Sequence, residues 1–176
     1  MLGISSISAM LQFETQIGTC GVRWNDRGIT EVLMPRRRSL ATPRKSVIEV
    51  PAAVAAAVEG MVALLDGEVR DLRDVALDET GIDDFGRRVY AATREIGPGT
   101  TATYGDLARR IGAAGDARAV GAALATNPFP IVVPCHRVLA TGGALRGFSA
   151  PGGIATKRRM LEIERAPGFA QEALFG

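Results

Sequence analysis

Two hydrophobic periods meet in this chain, and the change from one to the other constrains its architecture more than any single residue does. In the first half, Leu11–Thr15, Cys20–Trp24 and Ile29–Met34 alternate apolar and polar residues, the period of a pleated strand. From Phe85 onward, Phe85, Val89, Ala92 and Ile96 recur every three or four residues, the period of a helix. Between the two lies Asp78-Glu79-Thr80-Gly81-Ile82-Asp83-Asp84, polar and acidic. A boundary placed there divides the chain into residues 1–83 and 84–176.

The first unit reads as hairpins followed by a helix. Gly18 and Asn25-Asp26-Arg27-Gly28 supply the turns, so the three strands pair antiparallel. Pro35 to Arg38 begins a basic loop. Pro51 stands at the first turn of an Ala-, Val- and Leu-rich segment, Ala52 to Leu65, that Gly67 closes. The expectation is a small α/β unit. In the second unit Gly97-Pro98-Gly99 stops the helix that Phe85 begins. Thr103 and Asp106 have the spacing of a capping box for Tyr104 to Ile111, and Gly112 to Gly115 break that helix. Asp116 is expected to cap a further short helix through Ala125. Two short helices across a glycine-containing turn suggest a helix-turn-helix. Ile131-Val132-Val133 reads as a short buried strand, and a last helix runs from about Ile154 to Arg165.

Composition narrows the function classes. With 47% hydrophobic and 23% charged residues in 176, the chain can bury a core, which excludes wholesale disorder. No apolar run reaches the length of a membrane-spanning helix, and Met1 to Met10 lacks a basic secretory start; a cytoplasmic protein away from membranes is expected. Two cysteines, Cys20 and Cys135, make no disulfide framework, and with one histidine they make no structural zinc site. No metal and no cofactor is expected. Residues 1–84 carry nine Lys/Arg against thirteen Asp/Glu, or −4, and residues 85–176 carry twelve against six, or +6. Such asymmetry is expected where only one half meets a polyanion.

The second short helix sharpens this. With Val120 and Leu124 turned inward, Arg118, Ala122 and Ala125 share the outer face. A helix reading base edges in the major groove carries several Asn, Gln, Arg or Lys. A smooth face with one long cation suits backbone and minor-groove binding without sequence specificity, the arginine acting as a wedge in the base stack.

The chemistry centres on Pro134-Cys135-His136-Arg137-Val138, where the only histidine adjoins one of the two cysteines. A free thiol is only a few per cent thiolate at neutral pH. An imidazole that removes its proton, directly or through a bridging water, makes it a nucleophile, and a carboxylate behind the imidazole would orient it. Glu162 and Glu164 are the candidates for that carboxylate.

Tyr104-Gly105-Asp106-Leu107-Ala108, Ala117-Arg118-Ala119-Val120-Gly121, Asn127-Pro128, Val133 to Val138 and Lys157 to Glu164 together resemble the O6-alkylguanine-DNA alkyltransferases, or methylated-DNA–protein-cysteine methyltransferases. The resemblance covers residues 84–165 closely and 11–77 only in layout. It implies a ribonuclease H-like α/β first domain and a mostly helical second domain with a helix-turn-helix. It implies that Cys135 accepts the alkyl group from guanine O6 irreversibly and stoichiometrically, with His136 and Glu164 deprotonating it. Asn127 would be the hinge that bonds backbone beside the cysteine turn. Tyr104 would donate to guanine N3 and help rotate the nucleotide out. Arg118 would fill the vacated stack, with Ala117 and Ala122 beside it on the DNA face. Backbone carbonyls at Cys135 and Val138 would hold the guanine amino group, and Phe148 and Ser149 would line the alkyl pocket. The implied partner is duplex DNA carrying alkylated guanine, with O4-alkylthymine a second candidate lesion. The protein would be a monomer, with cooperative binding along DNA open. Two other readings compete: a lesion-sensing DNA-binding protein without transfer, and a cysteine hydrolase using Cys135, His136 and Glu164.

Overall fold

The computed structural model describes residues 9–36 and 49–170. Most of the basic loop after Pro35, the chain start and Phe175 therefore lie outside the described residues.

Three strands, β1 (Ala9–Thr15), β2 (Gly18–Asn25) and β3 (Gly28–Leu33), form an antiparallel meander in the order β1-β2-β3. Alternation works as expected on β2, where Cys20, Val22 and Trp24 point inward and are buried. In the β2–β3 turn the Asn25 side-chain oxygen accepts from the amides of Arg27 and Gly28. Gly28 is required twice over. Its φ of +145° suits glycine, and a Cβ there would lie 2.6 Å from the carbonyl oxygen of Ala76.

Helix α1 (Ala52–Leu65) begins after Pro51 and buries Val54, Ala57, Val58, Met61, Leu64 and Leu65. The acidic stretch is not a free linker. Asp78 donates its amide to Ile29 at 2.8 Å, and its carboxylate accepts from Asn25 at 2.6 Å and from Arg27 at 3.1 Å. Hydrogen bonds from Thr80 and Asn25 hold that carboxyl well below the usual carboxylate range.

Helix α2 (Asp84–Arg94) is capped by the Asp83 carboxylate, which accepts from Gly86 at 2.7 Å. The capping box of α3 (Tyr104–Arg110) forms as the spacing predicts. Asp106 donates its amide to the Thr103 hydroxyl at 3.0 Å, and the Asp106 carboxylate accepts from the Thr103 amide at 2.8 Å. Helix α4 (Ala117–Ala125) follows across a turn with Gly112 and Gly115 at positive φ. Asp116 does not cap α4 with its side chain: at ψ 34° it is not extended, so its carboxylate makes no bond to the first helical amides.

The strand expected at Ile131–Val133 is absent. These residues are buried in a turn, with the Val133 amide donating to Phe129 and the Cys135 amide to Val133, each at 2.8 Å. Ile131 stands at φ 74°, in the left-handed region, which breaks an extended run at its first residue, and Pro130 and Pro134 bracket the segment. The pairing occurs later, where β4 (Ala102–Thr103) and β5 (Val138–Leu139) run parallel. Helix α5 (Gly153–Ile163) ends at Glu164, and Arg165 turns out of it at φ 55°. Phe169 packs with Leu139, Leu161 and Ala166.

Two features join the parts. The Val32 amide of β3 donates to the Pro128 carbonyl at 2.8 Å, and one continuous apolar core runs from Cys20 and Trp24 through Val89 and Leu107 to Met160. Among the described residues no helix is long and apolar enough to cross a membrane.

Candidate active site

Cys135 opens a short 3₁₀ turn, Cys135–Arg137, whose backbone is fixed by the Arg137 amide donating to Pro134 at 2.9 Å. One turn of this tight helix sends consecutive side chains in different directions. Cys135 remains partly exposed at a cavity of about 150 Å³, while His136 and Arg137 are buried. Tyr104, Asn127, Phe148 and Ser149 line the same cavity, so five of the expected site residues meet there.

Behind the thiol, His136 Nε2 lies 2.8 Å from Glu164 Oε1, and both side chains are about 1% exposed. Arg137 grips the same carboxylate with two bonds, Nε to Oε2 at 2.9 Å and Nη2 to Oε1 at 2.8 Å, and anchors itself through Nη1 to the Ile96 carbonyl at 2.6 Å. Burial opposes ionisation of Glu164, but His136 and Arg137 outweigh it and hold the carboxyl at about 2. A carboxylate can only accept, so Nε2 carries the proton and Nδ1 keeps a lone pair. Nδ1 is buried and bonds no protein group. Burial, aided by Arg137 and Lys157, pushes the His136 pKa down although Glu164 pulls the other way, leaving a neutral imidazole able to take a proton.

Burial likewise pushes the Cys135 thiol up; the Asn127 amide, the Lys157 cation and nearby backbone amides work against it. Asn127 is held on both sides. Its Nδ2 donates to the Val133 carbonyl at 3.0 Å, and its Oδ1 accepts from the Phe129 amide at 2.9 Å. The Tyr104 hydroxyl is placed to donate to the carbonyls of Arg146 and Gly147, at 3.1 and 3.2 Å. Burial first and Cys135 second raise its pKa, so the phenol keeps its proton.

Ser149 borders the cavity, but its hydroxyl donates to the Ala125 carbonyl at 2.8 Å. Val138, expected at the pocket, does not line the cavity: it is buried, and its carbonyl accepts from Lys157 Nζ at 2.5 Å. Arg118 and Ala117 sit on an adjoining depression that shares Tyr104 and Gly147 with the cavity wall. Arg118, Ala122 and Ala125 are exposed and Val120 and Leu124 buried, as helix spacing predicts. Ala122 faces a separate depression between α2 and α4. Among the described residues no group of three His, Cys, Asp or Glu lies together as a metal site.

Sequence reasoning gave no role to Arg137 or Lys157. Lys157 is fully buried, with its ammonium 5.8 Å from the Tyr104 ring centre and 5.9 Å from that of Phe148. Burial brings its pKa down to about 8. The signal was available: Lys157, Leu161 and Glu164 lie at i, i+4 and i+7, which puts two charged groups on the apolar face of α5.

These features fit the class of proteins that use a cysteine thiol as nucleophile, here set at a cavity beside a pair of short helices. Residues 84–166 match the family model described as "6-O-methylguanine DNA methyltransferase, DNA binding domain". A methylated-DNA–protein-cysteine methyltransferase of Mycolicibacterium paratuberculosis is 45% identical over 72% of this chain and 74% of its own length. One from Methanothermobacter thermautotrophicus is 35% identical over 82% and 78%. Among solved structures, Mycobacterium tuberculosis OGT in complex with DNA superposes with a TM-score of 0.72 at 37% identity, covering 91% of this chain and 96% of that one. The O6-methylguanine-DNA methyltransferase of Pyrococcus kodakaraensis gives 0.64 at 25% identity, covering 89% and 99%. The chain belongs to the family of methylated-DNA–protein-cysteine methyltransferases, enzymes of direct DNA repair.

Proposed function

We propose that Cys135 takes the alkyl group from O6-alkylguanine in duplex DNA and keeps it. The observation that carries this reading is a part-exposed thiol at a cavity with the buried His136–Glu164–Arg137 assembly behind it. The Cys135 proton passes through a bridging water to the free Nδ1 of His136, and the imidazolium so formed is balanced by Glu164. The thiolate attacks the alkyl carbon in line; the S–C bond forms as the C–O6 bond breaks, and the electron pair leaves with guanine. Tyr104 exchanges its loop carbonyls for guanine N3 and donates to the developing anion. The carbonyl of Cys135, joined by that of Val138 once Lys157 releases it, faces the guanine amino group, Asn127 keeps the cysteine turn in register, and Phe148 and Ser149 flank the alkyl group. A thioether does not hydrolyse readily, so each protein acts once.

An alkyl carbon in the stack cannot be approached in line, so the base is flipped out, at a cost of a few kcal/mol. We read α3, the turn and α4 as a helix-turn-helix laid on the minor groove, with Ala117 and Ala122 at the smooth contact and Arg118 in the vacated stack. Residues 1–83 are read as a ribonuclease H-like domain and 84–176 as the DNA-binding and transfer domain. The protein acts as a monomer on cytoplasmic DNA, with O4-alkylthymine a second lesion. Intact-mass measurement after incubation with O6-methylguanine DNA tests this: wild type should gain one methyl, at Cys135, and Cys135→Ser none. Tight lesion binding without a mass gain would establish a sensor instead, and repeated turnover on esters a hydrolase.

A further inference from the structure

We propose that Met34, at the end of the N-terminal sheet, is the yielding wall of the cavity at Cys135 and sets how large an alkyl group is accepted. This rests on Cys135 being the alkyl acceptor. The cavity is shared between the two parts of the chain: Val32, Leu33 and Met34 border it from one side, and Pro130, Cys135 and Phe148 from the other. Met34 is 4% exposed, so its side chain is packed rather than lying on a surface.

Its position is fixed from both ends. Two residues earlier, Val32 donates its amide to Pro128, next to the Asn127 that bonds the cysteine turn. One residue later, Pro35 packs on Gly18 so closely that a Cβ there would lie 3.0 Å from it. The Met34 backbone is therefore held in place, and any adjustment of the cavity wall falls to its side chain.

Size decides the consequence. A cavity of about 150 Å³ matches one known to hold a single benzene ring. A flipped purine fills that space and extends into the open mouth, so a methyl group fits beside Cys135 and a benzyl group requires a wall to move. Pro130 is a rigid ring, and Phe148 is held by a loop tied to Ala125 through Ser149 and to Tyr104 through Arg146 and Gly147. Methionine, unbranched with three rotatable side-chain bonds, is the wall built to adapt.

The test measures single-turnover rate constants for the full chain on duplex oligonucleotides carrying O6-methylguanine or O6-benzylguanine. Met34→Ala should raise the benzyl-to-methyl ratio about tenfold, and Met34→Phe should lower it by a similar factor, the scale expected of one or two methylenes in an apolar pocket. A ratio within about twofold of wild type in both variants overturns the proposal. Should circular dichroism show Met34→Ala unfolded, Met34→Phe, which fills space instead of emptying it, decides alone. Methyl addition to wild-type Cys135, read by mass in the same reactions, separates the two layers: its absence refutes the acceptor reading, its presence with an unmoved ratio refutes the wall.

Discussion

In strand β2 the side chains that leave water are Cys20, Val22 and Trp24, all uncharged. Around Cys135 they include His136, Arg137, Lys157 and the carboxylate of Glu164. The first region is held by burial of apolar area, which is non-directional and tolerates substitutions that keep volume. The second buries charge, which is tolerable only where each group meets its partner in good geometry. Stability is made in one region and held at risk in the other, and the risk coincides with the chemistry.

Mutations can break or sharpen this contrast. The largest loss is expected from Arg137→Leu, which leaves Glu164 buried without its cation. Unfolding in urea should show a destabilisation of about 3–5 kcal/mol, and transfer should slow even below the unfolding temperature. Acid comes next. The folded-state pKa of Glu164, about 2, lies below its ordinary value, so the stability it confers is complete above the unfolded pKa. That stability disappears as pH falls from about 4.5 toward 2. Glu164→Gln should flatten the pH dependence of stability in that window while slowing transfer at neutral pH. In the apolar region, Val22→Ala should cost about 2 kcal/mol and leave the methyl-transfer rate of the folded protein unchanged; a rate loss there would mean that the sheet is part of the relay. Thr103→Ala, which opens the capping box of α3, should cost only about 1 kcal/mol by thermal melting. Because Tyr104 is the next residue, a small change in transfer rate with it would show how firmly the cap aims the phenol.

How legible each region was follows from the same physics. Alternation placed three strands within a residue or two, and Pro51 with Gly67 bracketed α1. Thr103 and Asp106 announced their capping box because both partners are local. Local rules failed at Asp116, whose backbone turned its carboxylate away from the cap, and at Ile131–Val133, where a positive φ at Ile131 broke the expected strand. They were silent on Arg137, because a charged side chain far from its partner in sequence looks like any surface cation, and for Lys157 they offered a helical spacing but no partner. Arg137 and Glu164 are 27 residues apart.

By itself, the order of residues determined the period of each element, most of its ends, and the pairing of the only imidazole with a thiol. These are matters of neighbours along the chain, where backbone geometry leaves few choices. The tertiary structure alone decided that Arg137 holds Glu164 against His136, that Lys157 is buried near two rings, and that β3 reaches across to Pro128 and brings Met34 to the cavity. Charges and cavity walls depend on distance through space, and that distance exists only once the two parts share one core.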